Sequence, residues 1–218
     1  MSNKERNRAI DVTKAIGIIL VVVGHIPGLW GPLWRAIYSF HMPLFFIMAG
    51  AVYVQREPID VIKRSAKALL VPYLITIVVC VLMAFVFGNM EQVHAYCKGL
   101  LFPDGIRGDN LVFAGWPSVE AMWFFPAMFC CRSFYSIIMK YASKYTVVLC
   151  ASIQLVSVLI GRFLFNLPFG ILVGCSVFFF FAIGRMLTKF AGGAIRKSKV
   201  AIISIFEPVD IDDMEEPF

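Results

Sequence analysis

Residues 68–90 read ALLVPYLITIVVCVLMAFVFGNM, a run of 23 residues without a charged side chain. A transmembrane helix needs about 20 mostly apolar residues to cross about 30 Å of hydrocarbon at about 1.5 Å per residue. The run therefore predicts a helix that spans a membrane.

Five further stretches meet or approach the same length. Three of them are uncharged, and two contain charged residues that the span must tolerate. The uncharged stretches are residues 36–55, 145–161 and 163–184, and the other two are residues 9–26 and 121–139. We therefore predict an all-α transmembrane helix bundle of about six spans.

The composition favours the same fold class and excludes others. Of the 218 residues, 60% are hydrophobic and 16% are charged, and the mean hydropathy is +0.80. A soluble domain has about 45–50% apolar and about 25% charged residues. The chain is too apolar for a single water-soluble core, and its 15% aromatic content excludes a disordered chain.

Basic residues are distributed unevenly between the two ends of the predicted helices. Fifteen lie on the side of the N-terminus and four on the opposite side, while Lys14 lies inside the first span. Short loops rich in Lys and Arg remain in the cytoplasm. The distribution predicts a multi-pass protein of the cell (inner) membrane, in contact with lipid, with its N-terminus in the cytoplasm. The net charge of +6 then reflects topology, so no nucleic-acid partner is predicted.

The segments outside the spans carry their own expectations. We expect residues 1–190 to form one transmembrane domain and residues 191–218 a disordered cytoplasmic tail, first basic and then acidic. The pattern of basic and apolar residues at 56–67 predicts either a short amphipathic segment on the inner membrane surface or a loop whose charges only set the topology. Residues 91–119 form the longest outer loop, the best candidate to meet a polar substrate from outside.

The six cysteines form no CxxC pair, and no HExxH motif is present. The sequence therefore predicts no metal site.

Two ionisable residues of the first span are the strongest candidates for chemistry. Lys14 and His25 are eleven residues apart, which is close to three full helical turns, so both lie on one face about 16.5 Å apart along the axis. Ionisable groups inside a membrane are costly and by default mark function. The cation can hold a phosphate near the inner leaflet, and the imidazole can take a proton from an attacking hydroxyl near the outer one.

Each candidate also has a simpler interpretation. Lys14 can extend its ammonium group to the inner headgroups or form only an ion pair with Asp11, three residues before it. His25 can be an interface residue that hydrogen-bonds to a neighbouring helix. His41 would lie near His25 if the first two spans form a hairpin. Glu120, at the outer start of the fourth span, is either an interface charge or a third polar member of the same outer site.

Four blocks of the sequence resemble the acyltransferase family 3 membrane proteins, which are bacterial O-acyltransferases acting on carbohydrates. The family's signature pairs an Arg or Lys with a His eleven residues on, and here these are Lys14 and His25. Ala49 stands where the second block often has Ser. The blocks are RAIDVTKAIGIILVVVGH (8–25), FHMPLFFIMAG (40–50), SVEAMWF (118–124), and LPFG (167–170) followed by residues 178–184.

The resemblance implies transfer of an acyl group, usually acetyl, from cytoplasmic acyl-CoA (acetyl-CoA) to a hydroxyl of an extracytoplasmic glycan. By this analogy His25 is the general base or acyl relay, Lys14 engages the donor cofactor, and Glu120 occupies the acidic position of the third block. The supporting candidates are Asp11, His41 and Arg35.

The resemblance also implies how many spanning helices the protein should have. Members of the family have more spanning helices than the six predicted here, so we expect a truncated copy, or half of a split enzyme whose missing helices come from a second chain. Two other interpretations stay open. The chain can be a non-catalytic membrane subunit or small transporter that binds ligands on the same polar stripe, or an inactive remnant.

Overall fold

The computed structural model describes residues 8–26, 30–102, 120–163 and 167–190. Within these ranges the regular structure is helical and no strand occurs, so the predicted all-α class is confirmed for the described part of the chain. Most of the predicted outer loop and the whole predicted tail, residues 103–119 and 191–218, lie outside the described residues. The division into a 1–190 domain and a tail therefore stays a prediction.

The described ranges contain nine α-helices. In chain order they are α1 (Arg8–Gly24), α2 (Gly31–Ala51), α3 (Pro58–Ser65), α4 (Val71–Val86), α5 (Met90–Gly99), α6 (Phe124–Tyr141), α7 (Thr146–Phe163), α8 (Ile171–Ser176) and α9 (Phe178–Phe190). A π-helical turn, Ala66–Leu70, joins α3 to α4, and 3₁₀ turns precede α6, α7 and α8.

Two of the described helices are long and apolar enough to cross a membrane. They are Pro58–Val86, with 29 residues, and Ser143–Arg162, with 20 residues. A bent pair, Pro168–Ser176 and Phe178–Thr188, gives a third span if its two members are counted as one. The structure thus supports a helical membrane protein, whereas the count of six spans and the cytoplasmic N-terminus stay predictions.

The segment 56–67 is neither a loop nor a separate surface helix. Its residues 58–65 form α3, which continues through the π-helical turn into α4 as one helix. Val61, Ser65 and Leu69 are buried along one side of this helix, where it packs on α6. Lys140, near the end of α6, donates a hydrogen bond to Glu57, and this bond raises the pKa of Lys140 above its usual value.

The start of the predicted outer loop is also helical. Asn89 caps α5, because its side-chain oxygen accepts a hydrogen bond of 3.0 Å from the backbone N–H of Gln92. The buried Tyr73 of α4 holds the other end of α5: its hydroxyl lies 3.2 Å from the carbonyl oxygen of Gly99 and 3.1 Å from that of Leu100. Residues 88–89 thus lead into a helix that folds back on α4.

Removing this hydroxyl tests the link between α4 and α5. We expect Tyr73→Phe to weaken the attachment of α5 by about 1 kcal/mol, because buried carbonyl groups lose a donor while the ring stays in place. Amide hydrogen exchange in α5 should then be about fivefold faster. Tyr141→Phe is the matched control, because Tyr141 is 77% exposed. Unchanged exchange in α5 would contradict the link.

The predicted span 163–184 is not one continuous helix. α8 ends at Ser176 and α9 begins at Phe178. Before α8 the backbone adopts left-handed conformations at Phe169 (φ 57°) and Gly170 (φ 61°), which stop a helix from continuing through them. The apolar residues around this break carry no local signal for it. The sequence of residues 163–184 therefore predicted a single continuous span.

The chain divides into two compact units. Of the described residues, one unit comprises 55–102, 120–163 and 167–179, and the other comprises 8–26, 30–54 and 180–190. Within the first unit α8 approaches α6 so closely that a Cβ atom on Gly174 would lie 2.6 Å from the carbonyl oxygen of Ala127. Within the second unit α1 and α9 each pack against α2, and this unit contains Lys14 and His25.

Candidate active site

Two glycines of α1 allow α2 to approach. A Cβ atom on Gly17 would lie 2.9 Å from the ring of Phe45, and one on Gly24 would lie 3.1 Å from the ring of Tyr38. Small residues at helix contacts let neighbouring helices pack closely in a membrane, where apolar burial alone gives no driving force between them. The two helices therefore meet along their length, and Tyr38 lies beside the end of α1.

His25 directly follows α1, and its hydrogen bonds define its tautomer. Its Nδ1 lies 2.8 Å from the carbonyl oxygen of Val21. Because a carbonyl can only accept, we assign the proton of the neutral ring to Nδ1, which leaves the lone pair on Nε2. The hydroxyl oxygen of Tyr38 lies 3.5 Å from Nε2, so the phenol is placed to donate to that lone pair.

Tyr38 belongs to a group of rings on α2. Its ring stacks on Trp34, with centroids 4.4 Å apart, and meets the edge of His41 at 5.0 Å. His41 is buried, and its Nδ1 lies 2.7 Å from the carbonyl oxygen of Ile37. We call His25, Trp34, Tyr38 and His41 the α1–α2 ring cluster. Trp34 and His41 contact the Tyr38 ring on two sides and so fix the position of its hydroxyl.

The cluster is open to an approaching molecule. His25 is exposed, Tyr38 is half-buried and Trp34 is 43% exposed. A neutral imidazole with an available lone pair beside a hydroxyl is the arrangement that general-base chemistry needs. The cluster can therefore remove a proton from a hydroxyl that forms a hydrogen bond to Nε2.

The other predicted site residues occupy different positions. Lys14 is half-buried within α1, which is continuous from Arg8 to Gly24, so Lys14 and His25 are about 16.5 Å apart along the axis. Arg35 is exposed in α2. Asp11 belongs to α1 and Glu120 begins a 3₁₀ turn, but their side chains lie outside the described residues. The roles assigned to all of these residues stay predictions.

Sequence reasoning missed Tyr38 and Trp34. Tyr38 was counted only as an uncharged member of the second predicted span, residues 36–55, and Trp34 lies just before that span. A signal was present, because Trp34, Tyr38 and His41 follow one another at intervals of four and three residues, which places them on one face of a helix. The spacing alone does not show which helix that face contacts.

The chain was compared with known protein families, curated proteins and solved structures. The family model of acyltransferase family 3, described as an acyltransferase domain, matches residues 7–206, which is most of the chain. The protein belongs to acyltransferase family 3. No curated protein and no solved structure matches it. Together with the long apolar helices, membership in this family supports a membrane protein that transfers acyl groups.

Proposed function

We propose that this acyltransferase family 3 protein is a multi-pass O-acyltransferase of the cell membrane. It transfers an acyl group, acetyl in the first instance, from cytoplasmic acyl-CoA to a hydroxyl of an extracytoplasmic glycan. The observation that carries the proposal is the contact between Nδ1 of His25 and the carbonyl oxygen of Val21. With Nδ1 bound to the carbonyl of Val21 at 2.8 Å, Nε2 presents a lone pair to a hydroxyl group, as acyl transfer to an alcohol requires.

The spacing of Lys14 and His25 fits an acyl-CoA donor. The chain from the pyrophosphate to the sulfur of CoA contains about 13 bonds and reaches about 15 Å when extended, by analogy with the extended polypeptide. The two residues are about 16.5 Å apart along α1. A pyrophosphate bound by the Lys14 ammonium would therefore present the thioester near His25. With the N-terminus in the cytoplasm, Lys14 would lie toward the inner leaflet and His25 toward the outer.

The function is tested with the purified protein in lipid vesicles. Acyl-CoA carrying a labelled acyl group is added with a soluble oligosaccharide, and label in the oligosaccharide is measured. We expect transfer that depends on the protein and yields an alkali-labile ester. Binding of the oligosaccharide without transfer would contradict an enzyme and favour a binding subunit.

A substitution of Lys14 tests its proposed contact with the donor. We expect Lys14→Gln to raise the KM for acyl-CoA about tenfold or more with a smaller change in kcat, because a charge-assisted hydrogen bond contributes about 1.5–3 kcal/mol. Lys98→Gln serves as the control, since Lys98 is exposed in α5. Acyl-pantetheine, which lacks the pyrophosphate, should be used equally well by the wild type and by Lys14→Gln. If Lys14→Gln impairs transfer from both donors alike, Lys14 does not bind the pyrophosphate.

A further inference from the structure

We propose that a single small anion, of the size of chloride, binds between α3 and α6. Its ligands are the hydroxyl groups of Ser65 and Ser133 and the guanidinium group of Arg132. None of these residues belongs to the α1–α2 ring cluster, so the inference does not depend on the proposed function. The site follows from the packing of the two helices, from the hydrogen bonding of the two serines and from the charge beside them.

The contact between the long helix Pro58–Val86 and α6 is fixed at two levels. At one end Lys140 of α6 donates a hydrogen bond to Glu57, which directly precedes α3. At the other end Phe125 of α6 packs against Tyr73 and Ile77, a buried pair of α4. The start of each helix thus meets a later part of the other, so the two helices run antiparallel.

Ser65 and Ser133 lie at the same level between these two contacts. Ser65 is eight residues from each of the two contacts on its own helix, and Ser133 is seven and eight residues from those on α6. At about 1.5 Å per residue each interval is about 10–12 Å. Ser65 lies on the buried side of α3 that packs on α6. Ser133 shares a face of α6 with Lys140, because seven residues are close to two full turns, so the two serines face each other across the contact.

The hydroxyl groups of both serines are buried. Ser65 is 0% exposed and Ser133 is 5% exposed, and within the described ranges the Oγ atom of neither has a hydrogen-bond partner. Ser136, on the next turn of α6, is also 0% exposed, but its hydroxyl donates to the carbonyl oxygen of Ser133 at 2.6 Å. A buried hydroxyl group that makes no hydrogen bond is destabilising. A ligand that accepts a hydrogen bond from both serines removes that cost.

Arg132 supplies positive charge at the same level. It directly precedes Ser133 and is only 8% exposed. Its guanidinium group has five N–H donors and no acceptor, so together with the two hydroxyl groups it makes the site rich in donors. The carboxylates at the start of α3 are directed elsewhere, since Glu57 accepts a hydrogen bond from Lys140 and Asp60 is exposed. Donors around a buried cation favour an anion, because coulombic attraction is strong in a low-dielectric interior.

The site lies where ions can reach it from water. The helix Pro58–Val86 has 29 residues and is about 44 Å long, whereas the hydrocarbon core is about 30 Å thick. Ser65 precedes the uncharged run that begins at residue 68, and Lys63 and Lys67 beside it are exposed. A π-helical turn begins directly after Ser65, and such turns are frequent at functional sites. Because both serines are almost fully buried, the ligand must be small.

The chloride dependence of stability tests the site. The purified protein in a non-ionic detergent is heated at constant ionic strength while gluconate is replaced by chloride, and its helical signal is followed. We expect the Tm to rise with chloride and then to level off. A ligand at ten times its dissociation constant lowers the unfolding equilibrium constant about tenfold, which raises the Tm of a chain of this size by about 3–6 °C.

Serine variants show whether the rise comes from this site. In chloride, Ser65→Ala and Ser133→Ala should each melt at a lower temperature than the wild type. In gluconate each should be at least as stable as the wild type, because it no longer buries a hydroxyl group without a partner. Ser136→Ala is the matched control, since its hydroxyl is buried on the same helix but bonded to the backbone, and its Tm should still rise with chloride.

Crystals grown in bromide locate the ion directly. We expect an anomalous peak between the Oγ atoms of Ser65 and Ser133 in the wild type and none there in Ser65→Ala. A wild-type Tm that does not respond to chloride would overturn the proposal, as would an unchanged response in both serine variants. Equal destabilisation of these variants in both salts, with no anomalous peak, would show that a water molecule occupies the site and would also overturn it.

Discussion

Replacing His25 with alanine is expected to reduce acyl transfer at least about 100-fold, and up to about 10⁴-fold, because general-base catalysis contributes rate factors of that size. The variant loses the Nε2 lone pair and the hydrogen bond from Nδ1 to Val21. His25 follows the last residue of α1 and is exposed, so the protein should still insert and accumulate. Transfer of label from acyl-CoA to the glycan is the measurement.

Two further variants separate the base from the hydrogen bond. His25→Gln keeps an N–H donor for the carbonyl of Val21 but has no titratable nitrogen, so it should be as inactive as His25→Ala. His94→Ala removes an exposed imidazole in α5 and should retain the activity of the wild type. If His25→Gln were fully active, His25 would be a structural residue and the proposed mechanism would fail.

Substitution of Gly184 is expected to have the largest effect on stability. A Cβ atom there would overlap the carbonyl oxygen of Ile47 and would lie 2.9 Å from the amide nitrogen of Ala51. These are backbone atoms, which cannot rotate away, so α9 and α2 must separate. We expect Gly184→Ala to lower the free energy of unfolding by about 1–3 kcal/mol, the usual cost of overpacking, and Gly184→Leu to lower it further. Unfolding in mixed micelles of rising SDS content measures this.

The same crossing provides its own controls. A Cβ atom on Gly50 would overlap the carbonyl oxygen of Phe181, so Gly50→Ala should destabilise to a similar extent. The double variant should cost less than the sum of the two, because the first substitution already separates the helices. At Gly31 a Cβ atom would meet nothing within 4 Å, and Gly31→Ala should unfold like the wild type. Wild-type stability of Gly184→Ala would show that the two helices do not meet at these glycines.

Several features of the fold could be predicted because they depend on local sequence. Uncharged runs of about 20 residues require helices in a membrane, since every backbone polar group must be paired within the segment. The run 68–90 accordingly lies almost entirely in the long helix Pro58–Val86. The same runs could not reveal where a helix begins or breaks. α3 extends the span into charged sequence, and Phe169 and Gly170 interrupt an apolar run, because backbone conformation at such points depends on packing.

At the candidate site, too, some residues could be predicted from the sequence and others could not. His25 and Lys14 could be selected from the sequence because an ionisable group inside an apolar segment is costly and therefore conspicuous. Tyr38 could not, because an aromatic residue within an apolar segment is ordinary and its hydroxyl gains meaning only beside a particular partner. That partner lies thirteen residues earlier, directly after the end of another helix.

The sequence by itself determined that this protein is helical and apolar enough for a membrane, that the spacing of Lys14 and His25 is close to three full helical turns, and that four of its blocks resemble acyltransferase family 3. Only the tertiary structure decided which hydroxyl faces His25, which nitrogen of that ring carries the proton, and that α2 and α9 cross at Gly50 and Gly184. The reason is physical. Helical periodicity fixes the face on which a residue lies, but in a membrane the faces that meet lipid and the faces that meet helices are equally apolar, so the pairing of helices is set by close packing and individual hydrogen bonds.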